Sequence, residues 1–267
     1  MSAGLEVVLS SGAINTPKIL MQSGIGDEVE LKRFGIPLVQ HLPGVGQSFQ
    51  DHFVIFGCIW EYRQPTVIPN AARAVLSWKS HPRLDTPNIQ IAQSDGGTIR
   101  SEMNELGLPA NSWWSLAPGG VRPQSRGSLR LTGRGPRDPI QIEANMLSHP
   151  EDLEAAIASV ELCRDVADSD ALRPFNKREL MAGNLKGVEL ENFIRQRAVT
   201  YCHQTSTAKM GRDSMSVVDG RLKVYGVSNL RIADGSIMPR VTSGNTMAPC
   251  VVIGERAAEL IKLEHAV

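Results

Sequence analysis

Three stretches alternate apolar with polar residues at a period of two: Asn88-Ile89-Gln90-Ile91-Ala92-Gln93, Ser128-Leu129-Arg130-Leu131-Thr132 and Ile140-Gln141-Ile142-Glu143-Ala144. Strands with one wet face read this way, and together the three predict an antiparallel sheet. The period then lengthens. Leu153, Ala156, Ile157, Val160, Cys163 and Ala167 recur at helical spacing, which predicts an amphipathic helix that covers the sheet. Ser148 and Glu151 stand at its start in a capping-box arrangement. A second helix is predicted from Val188 to about Arg197, after a loop at Gly183-Asn184-Leu185-Lys186-Gly187. Near the N-terminus Leu5 to Leu9 is strand-like, and a helix follows with Thr16 as its cap, Pro17 in its first position and a stop at Gly24. Near the C-terminus Leu230-Arg231-Ile232-Ala233 predicts a short, half-buried strand that ends in an Asp234-Gly235 turn. Pro249 to Ile261 predicts a helix with Thr246 as cap and Pro249 within the first turn.

At 267 residues, 42% of them hydrophobic, the chain can bury the core of one large domain or two small ones. Lys plus Arg and Asp plus Glu both number 28, so no charge excess points to nucleic acid or an anionic membrane surface. The apolar runs are shorter than a bilayer requires, and Glu6 precedes the first of them, so neither a membrane span nor a secretory signal is expected. Cys58, Cys163, Cys202 and Cys250 are scattered without a C-x-x-C pair. That pattern argues against a zinc site or disulfide framework and leads us to expect a reducing, cytoplasmic setting. Cys202 adjoins His203, and neighbours on a strand face opposite ways, so Cys202 is expected to be a small buried hydrophobe. Trp113 and Trp114 suit either a pocket wall or the core beside a sheet.

Some residues carry chemistry. A histidine such as His203 exchanges a proton near neutral pH, which suits an alcohol hydroxyl that must lose its proton. Asn245 offers a donor and an acceptor on one short side chain, just ahead of a helix whose free N–H groups favour negative charge. Taken singly, His203 reads equally as a hydrogen-bonded core histidine and Asp234-Gly235 as a plain turn.

The order of the segments adds to this. Tyr201-Cys202-His203-Gln204-Thr205-Ser206-Thr207-Ala208-Lys209-Met210-Gly211, the run from Asn229 to Pro239, and Gly244-Asn245-Thr246-Met247-Ala248-Pro249 together resemble the C-terminal part of the glucose-methanol-choline (GMC) oxidoreductase family. Gly12 to Gly26 matches that family's second signature, Leu42 to His52 is similar to its loop between flavin and substrate regions, and Pro123-Gln124-Ser125-Arg126-Gly127 is similar to one of its turns. The resemblance implies an α+β fold, with an antiparallel substrate-domain sheet covered by helices plus the C-terminal remnants of a FAD-binding α/β domain. By that reading 1–52 is the remnant of the FAD-binding domain, 53–200 the substrate-binding domain, and 201–267 the catalytic segment returning to the FAD-domain strand and helix. The implied activity is FAD-dependent oxidation of CH–OH groups, with His203 and Asn245 as the catalytic pair, Gly12, Asp234, Gly235, Thr246 and Met247 at the cofactor, and no metal. His41 and His52 become loop residues, and Arg126 is expected to be buried and to brace loops. Ser206 stands where the family usually has glycine and is expected to tighten or tilt the backbone that carries His203.

A complete family member also has a glycine-rich strand–turn–helix for the ADP part of FAD. No G-x-G-x-x-G occurs here, because Gly24-Ile25-Gly26 and Gly44-Val45-Gly46 lack the third glycine. The sequence therefore reads as a truncated or split form whose flavin binding alone is weak or absent. The expected partners are a small-molecule alcohol and either an N-terminal half chain or a second copy, since an unfinished sheet leaves edges and apolar surface uncovered. The alternatives are a flavin-independent lyase of the hydroxynitrile-lyase type and a non-catalytic fragment.

Overall fold

The strand near the beginning of the chain pairs in parallel with one near its end, Val7 opposite Leu230 and Leu9 opposite Ile232. The computed structural model describes residues 3–66, 74–94, 100–105, 107–109 and 111–266. In chain order these form β1 (Val7–Leu9), α1 (Gly12–Gln22), β2 (Ile25–Gly26), α2 (Glu28–Arg33), β3 (Gln40–His41), β4 (Phe53–Ile55), β5 (Cys58–Tyr62), β6 (Val75–Trp78) and β7 (Ile89–Ser94). There follow α3 (Arg100–Glu105), β8 (Trp113–Gly120), β9 (Ser128–Leu131), β10 (Ile140–Glu143), α4 (Pro150–Ala167), β11 (Asn176–Met181), α5 (Gly187–Arg197), β12 (Ala198–Thr200), β13 (Leu230–Ile232) and α6 (Met247–His265). Two units result: Met1–Asp51 with Ser125–Met146 and Cys202–Val267, and His52–Gln124 with Leu147–Tyr201. Among the described residues no helix is long and apolar enough to cross a membrane.

In the second unit β11, β5, β8, β4 and β12 lie side by side, and β7 and β6 extend from β8. All the pairings in this sheet are antiparallel. Its central strand β8 reads Trp-Trp-Ser-Leu-Ala-Pro-Gly-Gly and is buried along its whole length, so no alternation betrays it in the sequence. Its two glycines have a packing reason, because a side chain at Gly119 or Gly120 would collide with Phe53 on β4. Trp114 stacks on Trp60 with ring centroids 5.0 Å apart, and its indole N–H donates to Asn176 Oδ1 at 2.7 Å. Asn176 in turn donates to the Ala167 carbonyl at the end of α4. Both tryptophans of the 113–114 pair are buried, and Trp114 also lines a cavity of about 410 Å³.

Three details differ from the pattern in the sequence. The alternating stretches do not share one sheet: β7 joins the large sheet, while β9 and β10 pair with each other in the first unit, where Leu131 is buried and Lys18 and Gln22 donate to carbonyls at 135–138. Helix α4 is capped by His149, whose Nδ1 accepts from the Glu151 N–H, and not by Ser148. Pro150 explains the shift, since the residue before a proline is held extended, as a cap residue is. Arg126 is exposed, in place of the burial expected, and donates to the adjacent Ser125 carbonyl.

In the first unit Arg231 on β13 is fully buried. Its guanidinium donates to both Glu6 oxygens at 2.8 and 3.0 Å, to Glu264 at 3.1 Å and to the Arg221 carbonyl. The Arg231 hydrogen bonds hold the Glu6 carboxyl below its usual range, and Lys223, with help from Arg231, draws Glu264 down to about 2. A buried charge is tolerable only when paired and hydrogen-bonded in this way. Arg231→Met strands the Glu6 carboxylate and is expected to cost about 3–5 kcal/mol in urea unfolding. A loss below about 1 kcal/mol would show that the pair does not hold the strands together. Because the folded-state value of Glu6 lies below its unfolded one, its contribution is complete above the unfolded pKa and fades as the pH falls through the folded one.

Candidate active site

Helix α1 begins at Gly12, four residues before the Thr16 cap that its sequence suggests, and Pro17 therefore lies inside it. A proline has no N–H for the carbonyl four residues back, which here is that of Ala13. The hydroxyl of Thr207 donates to that carbonyl at 2.6 Å. Thr16 is also redeployed: its hydroxyl accepts from the Ser11 N–H and donates to Asp234 Oδ2 at 2.5 Å. The same oxygen accepts from the Gly12 N–H at 3.0 Å, and Asp234 Oδ1 accepts from the Ser236 N–H at 2.8 Å. Asp234 thereby joins the first turn of α1 to the short 3-10 turn Gly235–Ile237.

The segment that carries His203 runs alongside that turn. Ser206, Ala208 and Met210 donate their N–H groups to the carbonyls of Gly235, Ser236 and Ile237 at 3.3, 2.9 and 2.8 Å. On its other side Thr205 and Gln50 exchange both backbone hydrogen bonds. Asp51 finishes the frame, since its carboxylate accepts from the His203 N–H at 2.9 Å and from the Gln204 side-chain amide at 3.0 Å. Asp51 stands in the loop segment Leu42 to His52, and no local pattern there marks it as a partner of His203.

His203 is half-buried. Burial pushes its pKa below the ordinary histidine value, and the Asp51 charge offsets this in part, so the imidazole is neutral at pH 7. Cys202 is exposed and adopts a φ of 61°, which corrects its expected burial: with the backbone in the left-handed region, strand alternation does not apply. Ser206 has a φ of 74° and is fully buried. That conformation is the reason a glycine suits the position, and a serine there is strained.

The third segment leads into α6. Thr246 is the N-cap, as expected, but its side chain makes no capping hydrogen bond, so the first N–H groups of a 19-residue helix are left without a side-chain acceptor. Met247 is its first residue and is 73% exposed, and Asn245 lies exposed immediately before the cap. One turn in, Cys250 comes against Gly235: a Cβ added to Gly235 would lie 3.4 Å from Cys250 Sγ and 3.7 Å from the Gln204 carbonyl. Burial, then the Asp234 charge, raises the Cys250 thiol pKa, so it is no thiolate nucleophile. Gly12 and Asp234 are therefore directly bonded, and Gly235 touches both the His203 segment and the start of α6. Ser236 Oγ, at the centre of this arrangement, is buried without a hydrogen-bond partner.

The GMC oxidoreductase family model for the N-terminal part matches residues 2–54, and that for the C-terminal part matches residues 123–254. The chain belongs to the GMC oxidoreductase family. It is 35% identical over 285 residues to an alcohol dehydrogenase [acceptor] of Pseudomonas putida, with 96% of this chain and 51% of that protein covered. It is 36% identical over 289 residues to the mitochondrial choline dehydrogenase of Mus musculus, with 96% and 47% covered. Among solved structures it is similar to pyridoxine 4-oxidase from Mesorbium loti, with a TM-score of 0.83, 28% identity, and 95% of this chain and 50% of that one covered. The chain thus spans about half the length of the relatives it matches.

Ser206→Gly should relieve the left-handed strain and raise stability by about 1 kcal/mol in chemical denaturation. Thr207→Val should do the opposite, at a cost of about 1–3 kcal/mol, by leaving the Ala13 carbonyl buried and unpaired beside Pro17. Equal stability of all three proteins would show that neither feature constrains the segment.

Proposed function

We propose that this chain is the C-terminal half of a FAD-dependent oxidoreductase acting on CH–OH groups, with His203 and Asn245 as its catalytic pair. The observation that carries this reading is the shared framework of the three segments: the His203 strand, the Asp234–Gly235 turn and the first turn of α6 are in mutual contact through Gly235, Gln204 and Cys250. The residues fit the ring side of a flavin. The uncapped start of α6 supplies backbone donors at Thr246 and Met247, a Cβ at Gly12 would meet open space, and Ser236 Oγ awaits a partner. The ADP part has no glycine fingerprint to receive it in this sequence, so FAD binding by this chain alone is weak.

Bound FAD supplies the acceptor for the hydride that leaves the alcohol carbon. The chain's own groups deal with the oxygen. The alcohol O–H donates to a neutral nitrogen of His203, which takes the proton as the carbonyl forms. The Asn245 amide donates to the same oxygen and orients it. Asp51 holds the His203 backbone, and the depressed pKa keeps the imidazole unprotonated before the reaction. By the same reading the antiparallel sheet of the second unit is the substrate-binding part.

The unfinished α/β part leaves apolar groups in water. Leu5, Val7 and Val8 at β1 and Met247, Val251 and Val252 on α6 are all exposed. We place a partner over them, either a chain with the glycine-rich FAD-binding half or a second copy. Light scattering after gel filtration should give a mass above that of the 29.1 kDa chain. A monomer that fails to bind a hydrophobic dye would refute the covered face.

In flavin-loaded protein, His203→Ala should slow alcohol-dependent flavin reduction by about 10²–10⁴-fold, followed by anaerobic stopped-flow absorbance. Reduction at the parental rate would remove His203 from its role. For the parental protein the rate should rise with pH through an imidazole value below 6.5 and level off above it, since only the unprotonated form accepts the proton. Protonation also favours the unfolded chain, so His203 lowers stability as the pH drops below 6.5.

A further inference from the structure

We propose that a groove at the β11 edge of the second unit binds a small, multiply charged oxyanion of the phosphate or polycarboxylate type. The groove has a volume of about 390 Å³, which suits a compact ligand rather than a macromolecular surface. Arg63, Arg164, Arg173, Lys177, Arg178 and Lys186 all line it. Opposed to these six cations, among the described residues, are Asp168 and Glu179 within the groove, and Glu61 and Asp170 beside it. The surplus of positive charge matches a ligand with two or three negative charges.

The cations divide into fixed and available groups. Arg164 is a brace: it pairs with Glu179 at 3.3 Å and donates to the carbonyls of Ala182, Gly183 and Leu185, which shapes the loop ahead of α5. Lys177 and Arg178 share Glu61, each at 2.7 Å. Arg173 donates to the Asp168 carbonyl and lies near the exposed Asp170. Arg63 and Lys186 have no carboxylate partner among the described residues, and both are exposed. They would close on an anion without giving up an existing pair.

A second feature points the same way. Lys186 is the N-cap of α5, with φ −143° and ψ 162°, and its side chain makes no capping bond. Lys186 and Asn184 both line the groove, so the cap of this 11-residue helix stands at its wall, where the positive end of the helix dipole favours an anion. Glu189 in the first turn is the one acidic group there, and it is exposed. Burial raises the Glu179 pKa above the ordinary value, the Arg164 charge opposes this, and the carboxylate is already engaged by Arg164. None of these residues belongs to the redox site proposed above.

The test is isothermal titration of the full chain with inorganic pyrophosphate and, separately, with citrate, at fixed ionic strength set by sodium chloride. One-to-one saturable binding of either is expected, and the tighter of the two identifies the headgroup. The double variant Arg63→Gln/Lys186→Gln, with unchanged thermal melting, should bind at least about tenfold more weakly. Absence of saturable binding up to about 10 mM of both anions would overturn the proposal. So would equal affinity in the double variant, or heat that vanishes once chloride matches the anion's ionic strength. Redox activity plays no part in the readout, so the outcome is independent of the proposed function.

Discussion

A single carboxylate, that of Asp234, holds the first unit's chemistry together. It accepts from the Gly12 N–H, the Thr16 hydroxyl and the Ser236 N–H, three donors drawn from segments more than two hundred residues apart in the chain. Hydrogen bonds to a charged acceptor are each worth ~1.5–3 kcal/mol, and a negative charge is favoured at the start of α1 by the helix dipole. Pro17 tightens the arrangement from the other side. By withholding its own N–H it leaves the Ala13 carbonyl open for Thr207, so the helix, the turn and the His203 segment are tied by side chains as well as by backbone.

The properties of His203 follow from that framework. Its backbone is fixed by Asp51 and its imidazole is kept neutral by partial burial. The strained Ser206 three residues on is tolerated because Thr205 and Ala208 on either side of it are paired to Gln50 and Ser236. The general-base role proposed for His203 requires a fixed position of this kind. The charged cluster of Arg231 with Glu6 and Glu264 has a different task, which is to hold β1 and β13 together.

Much of this was legible in the sequence where one local rule sufficed. Helix α5, the β13 strand and the α6 helix behind its Thr246 cap all lie where periodicity and capping residues place them. The GMC family was legible from ordered motifs, which single residues could not supply. Errors arose where two rules competed. Thr16-Pro17 looks like a helix start, but Asp234, far away in sequence, claims the threonine hydroxyl and Thr207 compensates for the proline, so the helix extends back to Gly12. Ser148 lost its capping role to His149 because of Pro150. Cys202 was misjudged because its left-handed backbone breaks strand alternation. Strand β8 was invisible because it is buried on both faces and ends in glycines that only the Phe53 contact explains. The hairpin of β9 and β10 showed its strands but not its unit, since the sorting depends on contacts with α1 that no local pattern records.

The central claim is that His203 and Asn245 act on one alcohol oxygen. A double-mutant cycle on the rate of flavin reduction, with His203→Ala, Asn245→Ala and the pair in flavin-loaded protein, tests it directly. Groups that hold the same atom act as a unit, so the double variant should be hardly slower than the worse single one. Losses that simply multiply would place the two side chains on separate tasks and contradict the account.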